Sequence, residues 1–185
     1  MLDSTSGAYP LSVDEPILRK LAWIFEPYRR ARINGLLHLR KPDIVEGIIT
    51  DVEFRIMGHV TGSRQDEIPL DLRYKKIGGG QGWSMVEEVG SYARTGMLAD
   101  QIHAFVSVSG RQDGKWCYVI GKTSPFIDFD VRGLFEHLNE LEGATTDRWG
   151  GSDIIGGSPR VSGSTIEPAV LEKEINAYLL KKTAL

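Results

Sequence analysis

The stretch AFVSVSGRQDGKWCYVIG, residues 104–121, decides the fold. Ala104 to Ser109 and Lys115 to Gly121 are the clearest strands of the chain. Between them lies Gly110-Arg111-Gln112-Asp113-Gly114, a short polar connection that ends in Asp-Gly. The glycine supplies the positive φ of a tight turn, and the aspartate bonds the backbone locally. The stretch therefore predicts a β-hairpin.

Downstream, Asp130 caps a helix in which Val131, Leu134, Phe135, Leu138 and Leu141 recur at helical spacing. Gly143 ends it. Val161 to Ile166 reads as a last strand. Pro168 opens a final helix with Leu171, Ile175, Tyr178 and Leu179 on one face, and Lys181 and Lys182 at its negative end. Upstream, Val89, Tyr92, Ala93, Met97, Leu98 and Ile102 predict a helix over 86–102. Residues 61–84 read as loop-rich, with a short strand around Leu70 to Tyr74. Val52, Phe54 and Ile56 alternate and predict a strand over 52–60. The chain before Gly47 reads helical: Asp14-Glu15-Pro16 starts a helix carrying Ile17, Leu18, Leu21, Ile24 and Phe25. Pro27 interrupts it, and Pro42 breaks a second stretch holding Ile33, Leu36 and Leu37. The order predicts an α/β domain, bordering on α+β. A mixed sheet flanked by helices follows an N-terminal helical segment.

The 185 residues are 41% hydrophobic and 25% charged, ordinary globular values that exclude a collagen, a coiled coil or a disordered tail. No apolar run approaches the ~20 residues needed to cross a bilayer, so no membrane partner is expected. The acids and prolines of the first thirty residues do not form a secretory signal. The single cysteine, Cys117, has no internal disulfide partner, which fits a reducing, cytoplasmic location. A net charge of −3 argues against a protein that coats duplex DNA. Between Arg19 and Lys41, however, seven basic residues face one acid, Glu26. That excess fits a solvated helical face or a surface that meets a polyanion.

Glycines cluster at 78–82 and again at 150–163. In the second cluster Gly150, Gly151, Gly156 and Gly157 let the backbone approach a ligand, with peptide N–H groups aimed at an anion. Ser158 and Ser162 add hydroxyl donors, and Arg160 adds a planar guanidinium suited to phosphate. The same composition fits a structural turn feeding the last strand. The first cluster, Gly78-Gly79-Gly80-Gln81-Gly82, lacks the Lys-Ser/Thr of a P-loop and reads as a flexible connection or a lid. His38, His59, His103 and His137 fall at no metal-ligand spacing. No G-x-S-x-G elbow supports a serine nucleophile. Trp116 and Tyr118 fit core packing or a base-stacking platform. Trp149, beside the glycines, is the better stacking candidate.

Gly150-Gly151 followed by Gly156-Gly157-Ser158-Pro159-Arg160-Val161-Ser162-Gly163 resembles the Gly-Gly-Gly-His-x-x-Ala-Ala-Gly motif that closes the DHHA1 domain of DHH-family phosphoesterases. Lys122-Thr123-Ser124 stands where that family usually has a Ser-x-Arg-Ser segment. Asp128-Phe129-Asp130-Val131 resembles the acidic-aliphatic opening of its next helix. The resemblance spans roughly residues 50–170. It implies an α/β domain that holds single-stranded nucleic acid or a nucleotide through Gly150, Gly151, Gly156, Gly157, Ser158, Arg160, Ser162 and Lys122. Phosphodiester or phosphoanhydride hydrolysis would then need an upstream domain with manganese on Asp and His ligands. This chain has no Asp-His-His, and Ser158 stands where the motif has its histidine. Asp3-Ser4-Thr5 resembles the last metal-ligand motif of the DHH domain. The resemblance therefore divides the chain into the end of a DHH domain with its linker (1–48) and a DHHA1-like domain (49–185). Alone, the chain is expected to bind without hydrolysing and to carry no metal of its own. If part of a domain is missing, a homodimer would cover the apolar surface left open. The alternative reading is a non-catalytic scaffold or small-ligand module whose glycine loop is structural.

Overall fold

The computed structural model describes residues 5–39 and 41–183, without the side chains of Ile33, His38 and Thr183. The chain forms two compact units: Leu11–Leu70, and Asp71–Leu185 joined by the N-terminal segment up to Pro10.

The larger unit is built on the expected hairpin. Strands β1 (Tyr74–Gly80), β2 (Trp83–Glu88), β3 (Ala104–Gly110), β4 (Trp116–Lys122), β5 (Gly150–Gly151) and β6 (Ile155–Gly157) form one sheet in the order β1-β2-β3-β4-β6-β5. Only β2 and β3 run parallel; the other neighbours are antiparallel. β3 and β4 pair from Ala104↔Lys122 to Gly110↔Trp116. Their turn closes through the Arg111 N–H donating to the Lys115 carbonyl at 2.8 Å. Gly114 there takes φ +77°, which the Asp-Gly signal anticipates.

Alternation along these central strands feeds two cores. Val106, Tyr118 and Ile120 point to one face, where they meet Leu134, Phe135 and Leu138 of α5 (Val131–Glu142) and Leu171 and Ile175 of α6 (Pro168–Thr183). Phe105 and the half-buried Val119 point to the other, against Val86 and against Met97 of α4 (Ala93–Ala99). Each fully buried large apolar side chain contributes about 1.5–3 kcal/mol, so the first face carries most of the stability. Asp130 caps α5 by accepting the Gly133 N–H, and Gly143 ends it in the left-handed region at φ +61°. The mixed sheet with helices on both faces is the α/β architecture expected.

Four local expectations are corrected. The segment 52–60 is not a strand but the end of the nineteen-residue helix α3 (Pro42–Val60). Its least exposed positions, Ile44, Ile48, Val52, Arg55, Gly58 and His59, recur at helical spacing, which outweighs the three-residue alternation. Residues 48 and 49 both lie inside α3, and the chain passes between the compact units at Pro10/Leu11 and Leu70/Asp71. The helix expected over 86–102 is a strand, β2, followed by the short α4. Trp83 to Val86 are buried without alternation, as in a strand covered on both faces. Gly78 to Gly80 are not a loop but the end of β1, where Glu172 of α6 accepts the Gly79 N–H at 2.9 Å. No strand forms over 161–166. Gly163 at φ +68° breaks the extension, and a single bridge, Trp116↔Ser164, remains.

The smaller unit holds α1 (Pro16–Ile24), α2 (Glu26–Ile33), a 3₁₀ turn (Leu36–Leu39) and α3. Leu18, Ala22, Ile24 and Ala31 are buried in it. Arg55 lies 4.4 Å above the Trp23 ring and pairs with Glu26 at 3.4 Å. The basic stretch is partly neutralised within this unit: Arg30 also pairs with Glu26, and Arg19 with Glu67. Arg40 lies outside the described residues. Among those residues no helix is long and apolar enough to cross a membrane.

Candidate functional site

The glycine segment enters the sheet at Trp149. Asn139, buried on α5, holds that entry with both ends of its amide. Its Oδ1 accepts the Trp149 N–H at 2.8 Å, and its Nδ2 donates to the Trp149 carbonyl at 3.0 Å. The Trp149 indole is itself buried. It stacks on Tyr118 with ring centroids 5.6 Å apart and donates to Glu142 at 2.5 Å. Trp149 is therefore a core residue, and its expected stacking role is corrected. Tyr118 is equally enclosed, its hydroxyl donating to the Ile166 carbonyl at 2.6 Å.

Gly150 and Gly151 then pair with Gly157 and Gly156 as the β5–β6 hairpin. At its tip the Ser152 hydroxyl accepts the N–H groups of Ile154 and Ile155. β6 pairs in turn with β4, Val119↔Gly157 through Gly121↔Ile155. A Cβ on Gly156 would strike the Phe135 ring, and one on Gly157 the Tyr118 carbonyl. These two glycines are required by close packing. Ser158 extends the same pairing. It is buried, donates its N–H to the Tyr118 carbonyl and accepts the Tyr118 N–H at its hydroxyl, both at 3.0 Å.

Beyond Ser158 the chain curls around the carboxylate of Asp147. That group accepts the N–H of Arg160 (3.1 Å), Val161 (2.9 Å) and Ser162 (2.6 Å), and the Ser162 hydroxyl (2.9 Å). Three successive N–H groups, of Arg160, Val161 and Ser162 and not of the glycine pairs, thus form a nest that an internal anion fills. The donors, the Ser162 N–H first, outweigh desolvation and hold the Asp147 carboxyl below its ordinary pKa. On the carbonyl side, Arg111 donates to the Val161 carbonyl at 3.0 Å and Lys115 to the Ser162 carbonyl at 2.8 Å. Residues 160–162 are braced on both edges of their backbone.

What this loop presents outward is guanidinium. Arg160 and Arg148 are exposed, and among the described residues neither side chain has a hydrogen-bond or ion-pair partner. Asp153 does not pair with Arg160; it pairs with Arg132 at 3.1 Å. Arg148 escaped the sequence reading, although it sits directly before the Trp149-Gly150 entry.

Lys122 lies elsewhere. Its N–H pairs with the Ile154 carbonyl near the hairpin tip, and its ammonium donates to the Ile127 carbonyl at 3.0 Å. It stands four positions along β4 from Tyr118, which pairs with Ser158, so about 13 Å of strand lies between Lys122 and the Tyr118–Ser158 end. The structure thus keeps Gly150, Gly151, Gly156, Gly157, Ser158, Arg160 and Ser162 together and sets Lys122 apart. The N-terminal segment packs near Lys122, where the Ser6 hydroxyl donates to the Lys122 carbonyl at 2.6 Å. Asp3 lies outside the described residues.

A cleft of about 620 Å³, lined in part by Gln81, Asp128, Asn176 and Leu180, opens elsewhere on this unit. Asp130 in its wall is already engaged by Gly133, Tyr178 and Lys182. Burial raises the Asp130 carboxyl, but those donors outweigh it and hold the group low. Among the described residues no cluster of three or more His, Cys, Asp or Glu can hold a metal ion. Comparisons with known proteins match no family model, no curated protein and no solved structure.

Proposed function

We propose that the larger unit binds the phosphates of single-stranded nucleic acid or a nucleotide through Arg160 and Arg148. Phosphate binding with Arg160 among the ligands is what the DHHA1 resemblance implies; Arg148 joins it because it is exposed beside the Trp149 entry. The observation that carries it is a pair of exposed, unpartnered guanidinium groups: Arg160, on a backbone pinned by Asp147, Arg111 and Lys115, and Arg148, directly before the Trp149 entry that Asn139 holds. Pinning lowers the ordering cost of a contact, and a guanidinium forks onto phosphate without desolvating a rival carboxylate. Because Asp147 fills the nest, the ligands in this proposal are side chains, with Ser158 and the glycines shaping the loop. Hydrolysis would require the manganese-bearing domain that the family places upstream, and no step through it is assigned to this chain.

Fluorescence anisotropy with labelled single-stranded RNA and DNA tests the reading. Wild type should bind with salt-sensitive affinity, and Arg160→Ala should lose most of it. Equal, negligible binding by both proteins would refute it. One observation favours a second reading, a non-catalytic module with a structural glycine loop. The nest is already filled by Asp147, and Gly156 and Gly157 are explained by packing alone.

A further inference from the structure

Phe126 is 94% exposed, the most exposed large hydrophobic side chain among the described residues. It is not on a loose segment. Pro125 precedes it, the Phe126 N–H donates to the Ser124 hydroxyl at 3.3 Å, and the Ile127 N–H donates to the Ser124 carbonyl at 3.2 Å. The Lys122 ammonium bonds the Ile127 carbonyl and ties the loop back to the end of β4. A ring held out by a braced loop has given up burial without gaining mobility. Of the other aromatic candidates for stacking on this unit, Trp149 and Tyr118 are stacked on each other in the core, and Trp116 is half-buried and packed against that core.

We infer that Phe126 is a base-stacking residue, and that the ligand of this unit is an oligonucleotide. The inference rests on the phosphate-binding reading of Arg148 and Arg160 and adds the substrate class to it. The guanidinium groups of Arg148 and Arg160 are cationic and unpaired, which suits a polyanion. The ring offers the sequence-tolerant π-face on which unpaired bases stack. The two features leave the β6–β4 pairing at opposite ends, with about 13 Å of strand between Tyr118 and Lys122. At the ~3.4 Å rise of a stacked strand, that distance takes about four nucleotides. A mononucleotide or pyrophosphate reaches one feature only; an oligonucleotide reaches both.

The test compares a labelled single-stranded hexanucleotide with a labelled dinucleotide, using wild type, Phe126→Ala, Phe126→Trp and Arg160→Ala. Phe126→Ala should leave the melting temperature unchanged, since the ring is not packed. It should weaken hexanucleotide binding about 5- to 150-fold. Phe126→Trp should restore that binding, and the dinucleotide should not distinguish Phe126→Ala from wild type. If Phe126→Ala binds the hexanucleotide as wild type does while Arg160→Ala has lost it, the stacking role falls and the phosphate reading stands. If the dinucleotide suffers as much as the hexanucleotide, the two-ended geometry is wrong. If wild type shows no salt-sensitive binding at all, the phosphate reading falls and the stacking role falls with it.

Discussion

Asn139→Ala is the sharpest test of how the glycine segment is held. Asn139 is a polar residue on the buried face of α5, and both of its side-chain hydrogen bonds go to the backbone of Trp149. Truncation leaves a buried N–H and a buried C=O without partners. Each such orphan costs about 1–3 kcal/mol, so the variant should lose roughly 3 kcal/mol. For a domain of this size that lowers the melting midpoint by roughly 10 °C. Differential scanning calorimetry reads the shift directly. Asn139→Leu separates the causes, because it fills the space and leaves the same two groups unsatisfied. Both variants should fall by similar amounts. A midpoint within 1 °C of wild type for Asn139→Ala, or full rescue by leucine, would refute the account of Trp149 as a backbone-anchored entry.

Two further outcomes follow from the same loop. Gly157→Ala drives a Cβ into the Tyr118 carbonyl and should destabilise by about 1–3 kcal/mol. Gly150→Ala meets no atom within 4 Å and should stay within about 0.5 kcal/mol of wild type; urea midpoints distinguish them. Asp147 has a depressed pKa in the folded state, with the Ser162 N–H the leading cause. Its contribution is therefore present above the unfolded carboxylate pKa and is lost as pH falls through the folded value. Asp147→Asn should flatten that acid limb in urea titrations between pH 6 and 2. An unchanged limb would show that Asp147 does not hold the loop.

The legible parts of the fold are those whose signal is local. The 104–121 hairpin follows from two apolar runs and an Asp-Gly turn, and α5 from its apolar spacing between Asp130 and Gly143. The misread parts are those where two periods compete or neither is visible. In α3 the Val52-Phe54-Ile56 alternation masks the helical spacing of Ile44, Ile48, Val52 and Arg55. In β2, burial on both faces removes alternation altogether. The glycine segment is visible as a composition, and Arg160 as its free cation. Its chemistry was hidden because the groups that saturate it, Asp147, Asn139 and Arg111, lie outside the glycine cluster of residues 150–163. Phe126 carries no periodic signal, since exposure is a tertiary property. An anion nest read from glycines alone cannot reveal that the protein already supplies the anion.

The salt dependence of single-stranded oligonucleotide binding tests the central claim most directly. Each phosphate neutralised on a single strand contributes a slope of about −0.7 in log K against log salt. Arg148→Ala/Arg160→Ala removes two cations, so its slope should be shallower by about 1.4. Raising salt from 50 to 200 mM should then weaken wild type about 7-fold more than the double variant. Lys122→Ala, whose ammonium is turned onto the Ile127 carbonyl, should keep the wild-type slope. Superimposable slopes and affinities for wild type and the double variant would contradict the claim that these two arginines hold phosphate.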